Sequence, residues 1–133
     1  MTVKQLPSIL LVDDSSISLQ MISRALINKG FAVETASGGE ECLEMMKNRT
    51  FGLVLLDLLM PGIDGLEVCR RLSEHPNRTQ FKVAICSGCD EQDVIQNSIG
   101  VGADAYFVKE GTSEDFAERL SALLAGEPSS DPS

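Results

Sequence analysis

The sequence predicts an α/β domain: a doubly wound, five-stranded parallel sheet with helices on both faces. Three observations lead there. Short apolar runs alternate with longer stretches whose apolar residues recur at helical spacing, and the alternation repeats five times. The run Leu53-Val54-Leu55-Leu56, bounded by Gly52 and Pro61-Gly62, is apolar without interruption, as a strand buried on both faces must be. Glycines and capping residues mark the joints between the two kinds of segment.

Taken in order, Ser8–Val12 reads as the first strand and ends at Asp13-Asp14. A helix starts at Ser15 or Ser16 and runs to about Lys29, with Leu19, Ile22 and Leu26 on one face; Gly30 suits the left-handed position after it. Ala32–Ala36 alternates, as a half-exposed edge strand does. Gly38-Gly39 leads into a helix over Glu40–Asn48, with Leu43 and Met46 inward. The third strand, Leu53–Asp57, ends in a carboxylate that would be costly to bury inside the run, so Asp57 is expected at its tip. Asp64 can cap a third helix carrying Leu66, Cys69 and Leu72, which His75-Pro76-Asn77 ends. Lys82–Cys86 is the fourth strand, with Ser87-Gly88 leaving its tip. A helix over Glu91–Gly100 follows, with Val94, Ile95 and Ile99 as its apolar face. Ala105–Lys109 is the fifth strand. Thr112-Ser113-Glu114-Asp115 resembles a capping box for a last helix with Phe116, Leu120, Leu123 and Leu124 inward, closed by Gly126. The domain is thus expected over residues 1–126, with 127–133 a polar tail or cut linker.

Size and charge bound the function. A chain of 133 residues points to one domain, and a domain of about 150 residues buries roughly 70% of its unfolded surface, enough for a core without staples. The formal net charge of -9 argues against direct nucleic-acid binding, which needs clustered Lys and Arg, and against an anionic membrane surface. The start, Met1–Pro7, carries no apolar signal core, and no apolar run is long enough to span a bilayer. A cytoplasmic protein is expected, with Cys42, Cys69, Cys86 and Cys89 reduced.

Right-handed crossovers leave few topologies, and the commonest five-stranded one is the flavodoxin-like order 2-1-3-4-5. It makes strands 1 and 3 neighbours, so Asp13-Asp14 and Asp57 meet where ligands gather in open sheets. Apart from the edge strand, every strand delivers a polar group to its C-terminal tip: Asp13 and Asp14, Asp57, Ser87, Lys109. Three adjacent carboxylates repel unless a cation joins them, and Mg²⁺ favours such oxygen ligands while keeping several waters. The metal would stay open to a phosphoryl oxygen, Ser87 and Lys109 could hold the other two, and Asp57 would be free to attack phosphorus.

These residues resemble the receiver domain of two-component response regulators, similar to the bacterial chemotaxis response regulator. The resemblance covers about residues 8–125. It rests on Asp13-Asp14, Asp57 with Met60-Pro61-Gly62 and Asp64-Gly65, Ser87, Gly102-Ala103-Asp104, Tyr106 and Lys109. It implies that Asp57 accepts a phosphoryl group from a histidine kinase or phosphotransfer protein. It implies Mg²⁺ held by Asp14 and Asp57, by Asp13 mainly through water, and by the Leu59 carbonyl. Ser87 and Lys109 would bind the phosphoryl group, and Tyr106 would be a switch that follows Ser87 inward. An output partner would read the surface of helix 4, strand 5 and helix 5, on a monomer or a phosphorylation-dependent dimer. Such a domain is a signalling module; the only reactions it catalyses are its own phosphorylation and dephosphorylation.

Two departures stand out. Glu110 follows Lys109 where receivers usually carry a proline, and Leu59 and Cys89 sit where polar residues are common near the hydrolytic water. Rival readings are a pseudo-receiver that is never phosphorylated and a flavodoxin-like binding module; Asp13-Asp14 would repel that module's phosphate. Cys86-x-x-Cys89 also admits a redox or zinc reading, although Cys86 lies within a strand and no second ligand pair is present.

Overall fold

A computed structural model describes residues 7–88, 90–109 and 111–124, with Leu123 described by its backbone alone. The elements are β1 (Ile9–Val12), α1 (Ser16–Asn28), β2 (Val33–Ala36), α2 (Gly39–Asn48), β3 (Leu53–Asp57), α3 (Gly65–Leu72), β4 (Lys82–Ser87), α4 (Gln92–Gly100), β5 (Ala105–Val108) and α5 (Ser113–Leu124). A short 3₁₀ turn, Arg78–Gln80, precedes β4. All pairings are parallel and the sheet order is β2-β1-β3-β4-β5, as expected.

Side chains alternate across a strand, so an unbroken apolar run fills two cores at once. Leu10, Val12, Val54, Leu56, Val83 and Ile85 meet Cys42, Met46, Val68, Cys69 and Leu72 on one face. Ile9, Leu11, Leu53, Leu55, Ala84 and Cys86 meet Ile22, Ala25, Leu26, Phe116, Ala117 and Leu120 on the other. Fully burying each large aliphatic side chain stabilises the fold by about 1.5–3 kcal/mol.

The caps follow the sequence. Ser15 Oγ accepts from the Ser18 amide at 3.3 Å, and Asp64 Oδ1 accepts from the Glu67 amide at 2.9 Å. Thr112 and Asp115 cap α5 reciprocally, the Thr112 amide donating to Asp115 Oδ2 at 3.2 Å and the Asp115 amide to Thr112 Oγ1 at 3.1 Å. Gly30 takes φ 99° after α1.

Element boundaries shift by a residue in places: β4 runs on to Ser87, and β5 stops at Val108 so that Lys109 begins the loop. One helix face differs more. On α4 the buried residue is Ser98, while Ile99 is 46% exposed and Val94 and Ile95 are half-buried. Ser98 tolerates burial because its hydroxyl donates to the Val94 carbonyl at 2.9 Å, within its own helix. On α3 the inward residues are Val68, Cys69 and Leu72, with Leu66 only half-buried. The expectations for the Leu123 side chain, Gly126 and residues 127–133 lie outside the described residues.

At the sheet's N-terminal edge, Asp104 ties β4 to β5. Its Oδ2 accepts from the Val83 amide at 2.8 Å and from Arg78 Nη2 at 2.8 Å. Arg78 also donates to the Phe81 and Gly102 carbonyls at 2.8 and 2.7 Å. Burial works against the Asp104 charge, but Arg78 and the Val83 amide outweigh it and hold the carboxyl below its usual range. Among the described residues, no helix is long and apolar enough to cross a membrane.

Candidate functional site

The register aligns the strand tips. Val12 pairs with Leu56 and Asp57 with Cys86, so Asp13 emerges beside Asp57. Ser87 pairs with Val108, and the Lys109 amide donates to the Ser87 carbonyl at 2.7 Å, which brings Lys109 to the same edge.

Asp13 is buried, with Oδ1 accepting from the Ser15 amide at 2.9 Å and Oδ2 from Lys109 Nζ at 3.1 Å. Asp14 is exposed. Asp57 is half-buried, and its Oδ1 lies 3.6 Å from Lys109 Nζ. One carboxylate oxygen from each of Asp13, Asp14 and Asp57 falls within 4.8 Å of the others. Burial pushes the Asp57 carboxyl up to about 6; Lys109 opposes this, Asp13 adds to it, and the Leu59 amide donates to the carboxylate and opposes it. Partial burial works against the Lys109 ammonium, yet Cys86, Asp57 and Asp13 beside it outweigh that and hold its pKa above the ordinary value.

Ser87 is buried at the end of β4. Tyr106, opposite Ile85 in the register, is half-buried and packs on the core shared with α2 and α3. Leu58 and Met60 are buried, while Leu59 between them is 72% exposed. Asp13, Asp14, Asp57 and Lys109 therefore form one cluster, with Ser87 on the adjoining strand end. Glu110 and Cys89 lie outside the described residues. Burial pushes the Cys86 thiol up to about 12, so it is a core thiol at neutral pH, as are Cys42 at about 12 and Cys69 at about 11.

Asp13, Asp14 and Asp57 offer hard oxygen donors, with no sulfur or imidazole in the group. Three carboxylates beside one ammonium leave a negative surplus, which suits a small divalent cation such as Mg²⁺. The first turns of the surrounding helices add acids, Glu40 and Glu41 on α2, Glu67 on α3, Asp93 on α4, Glu114 and Asp115 on α5. These favour the helix dipoles and make the sheet's C-terminal edge acidic. Gly65, at the start of α3, stands in the sequence only as part of the Asp64-Gly65 pair, with no site role assigned to it; its Cα sits against the Asp57 backbone.

An acidic cluster with a lysine beside it stands at the switch point of a 2-1-3-4-5 sheet, where ligands bind in open α/β folds. Residues 9–121 match the family of the response regulator receiver domain, and the chain belongs to that family. It is 34% identical over 116 residues to the response regulator MprA of a Mycobacterium species, covering 87% of this chain and 50% of that protein. It is 29% identical over 119 residues to the phosphate regulon transcriptional regulatory protein PhoB of Rhizobium meliloti, covering 90% of this chain and 52% of that one. The chain thus spans about half the length of these curated relatives. Among solved structures it is similar to the chemotaxis response regulator CheY4 of Vibrio cholerae, with TM-score 0.83, 27% identity, and coverage of 90% of this chain and 100% of that one. A CheY-like receiver domain protein from Methanospirillum hungatei gives TM-score 0.79 at 30% identity, covering 92% of this chain and 96% of that one. The chain is a receiver domain of two-component signalling.

Proposed function

We propose that Asp57 is the phosphoacceptor of this receiver. The observation that carries the reading is Asp57 at the end of a buried strand, 3.6 Å from Lys109 and grouped with two further carboxylates. In the transfer, the N–P bond of a donor phosphohistidine breaks as an O–P bond to Asp57 forms, and the leaving imidazole takes up a proton at neutral pH. Lys109 holds negative phosphoryl oxygens, and the Ser87 hydroxyl donates to another. Asp13, Asp14 and Asp57, with the Leu59 carbonyl, are the groups that would hold Mg²⁺, which when bound neutralises charge on the phosphoryl oxygens. The domain extends over residues 1–126 and works in the cytoplasm, with a histidine kinase or phosphotransfer protein as donor.

The output follows from differential affinity. A phosphoryl group that Ser87 binds better in one state shifts the population toward it, and Tyr106 moves with Ser87. The surface of α4, β5 and α5 then meets a partner or a second phosphorylated copy. The half-exposed Ile95 and exposed Ile99 on α4 support this reading. To test it, the protein is incubated with Mg²⁺ and acetyl phosphate and its intact mass recorded. A gain of one phosphate that Asp57→Asn abolishes is expected; undiminished labelling of that variant rejects the assignment and favours a pseudo-receiver or another acceptor.

A further inference from the structure

We propose that Gly65 is a positioning residue for the Asp57 site: its bare Cα lets the start of α3 rest on the Asp57 carbonyl, and that contact fixes the Asp57–Leu59 backbone. The inference rests on the reading of Asp57 as phosphoacceptor and goes beyond it. A Cβ built at Gly65 would stand 2.4 Å from the Asp57 carbonyl oxygen, 2.9 Å from the Leu58 Cα and 3.1 Å from the Asp57 carbonyl carbon. All three are backbone atoms, so no side-chain rotation can make room. The same glycine donates its amide to the Leu58 carbonyl at 2.9 Å. Asp64, just before it, locks the first turn of α3 through the Glu67 amide at 2.9 Å.

The helix start is therefore held against β3 by a hydrogen bond and a backbone contact at the two peptides next to the reacting carboxylate. Leu59, whose amide donates to that carboxylate, follows directly. An alanine at 65 must either lift α3, breaking the bond to Leu58, or push the Asp57–Leu58 peptide aside. Helix propensity alone would favour alanine over glycine, so a loss on substitution reports the contact and not the helix. Gly52 supplies the control. It sits just before the other end of β3, where a Cβ would stand 2.4 Å from the Pro7 Cβ, equally tight but remote from the site.

The test compares wild type, Gly65→Ala and Gly52→Ala in the full chain. Three quantities are measured: melting temperature, Mg²⁺ affinity by calorimetry, and the initial rate of mass gain with Mg²⁺ and acetyl phosphate. Gly65→Ala is expected to bind Mg²⁺ about tenfold more weakly, as loss of support behind a metal ligand does. Its phosphorylation is expected to slow roughly a hundredfold while it remains folded, since a displacement near 1 Å at a reacting group has that effect. Gly52→Ala should lose stability only. Wild-type values in folded Gly65→Ala, or equal losses in Gly52→Ala, overturn the inference. If Gly65→Ala does not fold, amide exchange on wild type decides: the Gly65 amide should exchange more slowly once Mg²⁺ binds, and an unchanged rate overturns the proposal. A wild type that takes up neither Mg²⁺ nor phosphate removes the functional reading itself, and this inference with it; a competent wild type with a competent Gly65→Ala removes this inference alone.

Discussion

Replacing Asp57 with Asn should stabilise the metal-free protein at neutral pH and do nothing for it in acid. Burial, with Asp13 adding, raises the Asp57 carboxyl from 3.8 to about 6. The folded state then holds the proton more tightly than the unfolded chain, so this group's contribution to stability falls as pH rises from about 4 through about 6. Above that window the penalty is complete. At ~1.4 kcal/mol per pH unit the gap is worth about 3 kcal/mol, and the attraction of Lys109 is already contained in it. Asn keeps the shape without the charge. Asp57 is half-buried, so solvent screens part of the effect, and about 1–3 kcal/mol is the expected gain. A chain of 133 residues melts with an entropy near 0.28 kcal/mol/K at ~2.1 cal/mol/K per residue, so the melting temperature should rise by roughly 4–11 °C. Thermal unfolding of both proteins in EDTA, at about pH 7.5 and about pH 4, checks this. Saturating Mg²⁺ should narrow the gap at pH ~7.5, because the wild type binds it better and binding stabilises the folded state. An Asn variant no more stable at neutral pH, or a gap of equal size in acid, would refute the account of burial and charge at Asp57.

Leu59→Asn should shorten the life of the phosphorylated protein by roughly threefold to tenfold, because the exposed apolar side chain beside Asp57 gives way to one that can hydrogen-bond a water. Decay after donor removal measures it, and unchanged or slower decay means Leu59 does not limit hydrolysis. Asp14→Asn removes one anionic oxygen donor from the carboxylate cluster and should weaken Mg²⁺ binding by on the order of tenfold, read by calorimetry; equal affinities would move the metal elsewhere. Asp104→Ala strips the Val83 amide and Arg78 of their acceptor and should lower stability by about 1–2 kcal/mol, discounted for its 37% exposure. Since the Asp104 carboxyl is held below its usual range, that contribution is present at neutral pH and lost as pH falls through its pKa; Asp57 labelling should not change.

What could be read in the chain and what could not divide along a physical line. The strand tips were legible because a parallel sheet buries both faces of β1 and β3, so the first polar residue after each apolar run marks the exit to solvent. The two-sided cores follow from the same runs. The inward face of α4 was misread because hydropathy sees an isoleucine at 99 and a hydroxyl at 98, whereas Ser98 satisfies its hydroxyl inside its own helix and costs little to bury. Phe31, Phe51 and Phe81 are buried just ahead of their strands, singly, where no period exists to announce them. The site lies at the far end of this scale. Lys109 reaches Asp13 across 96 positions of chain, and only the parallel register makes them neighbours. Polar residues at strand tips could be named one by one; their assembly followed once right-handed crossovers made the order 2-1-3-4-5 the expected one. Gly65 marks the limit of that reasoning. Its residue type is plain in the sequence, but its consequence depends on a carbonyl across the turn, and a gap too small for one methyl group is a property of the packed chain.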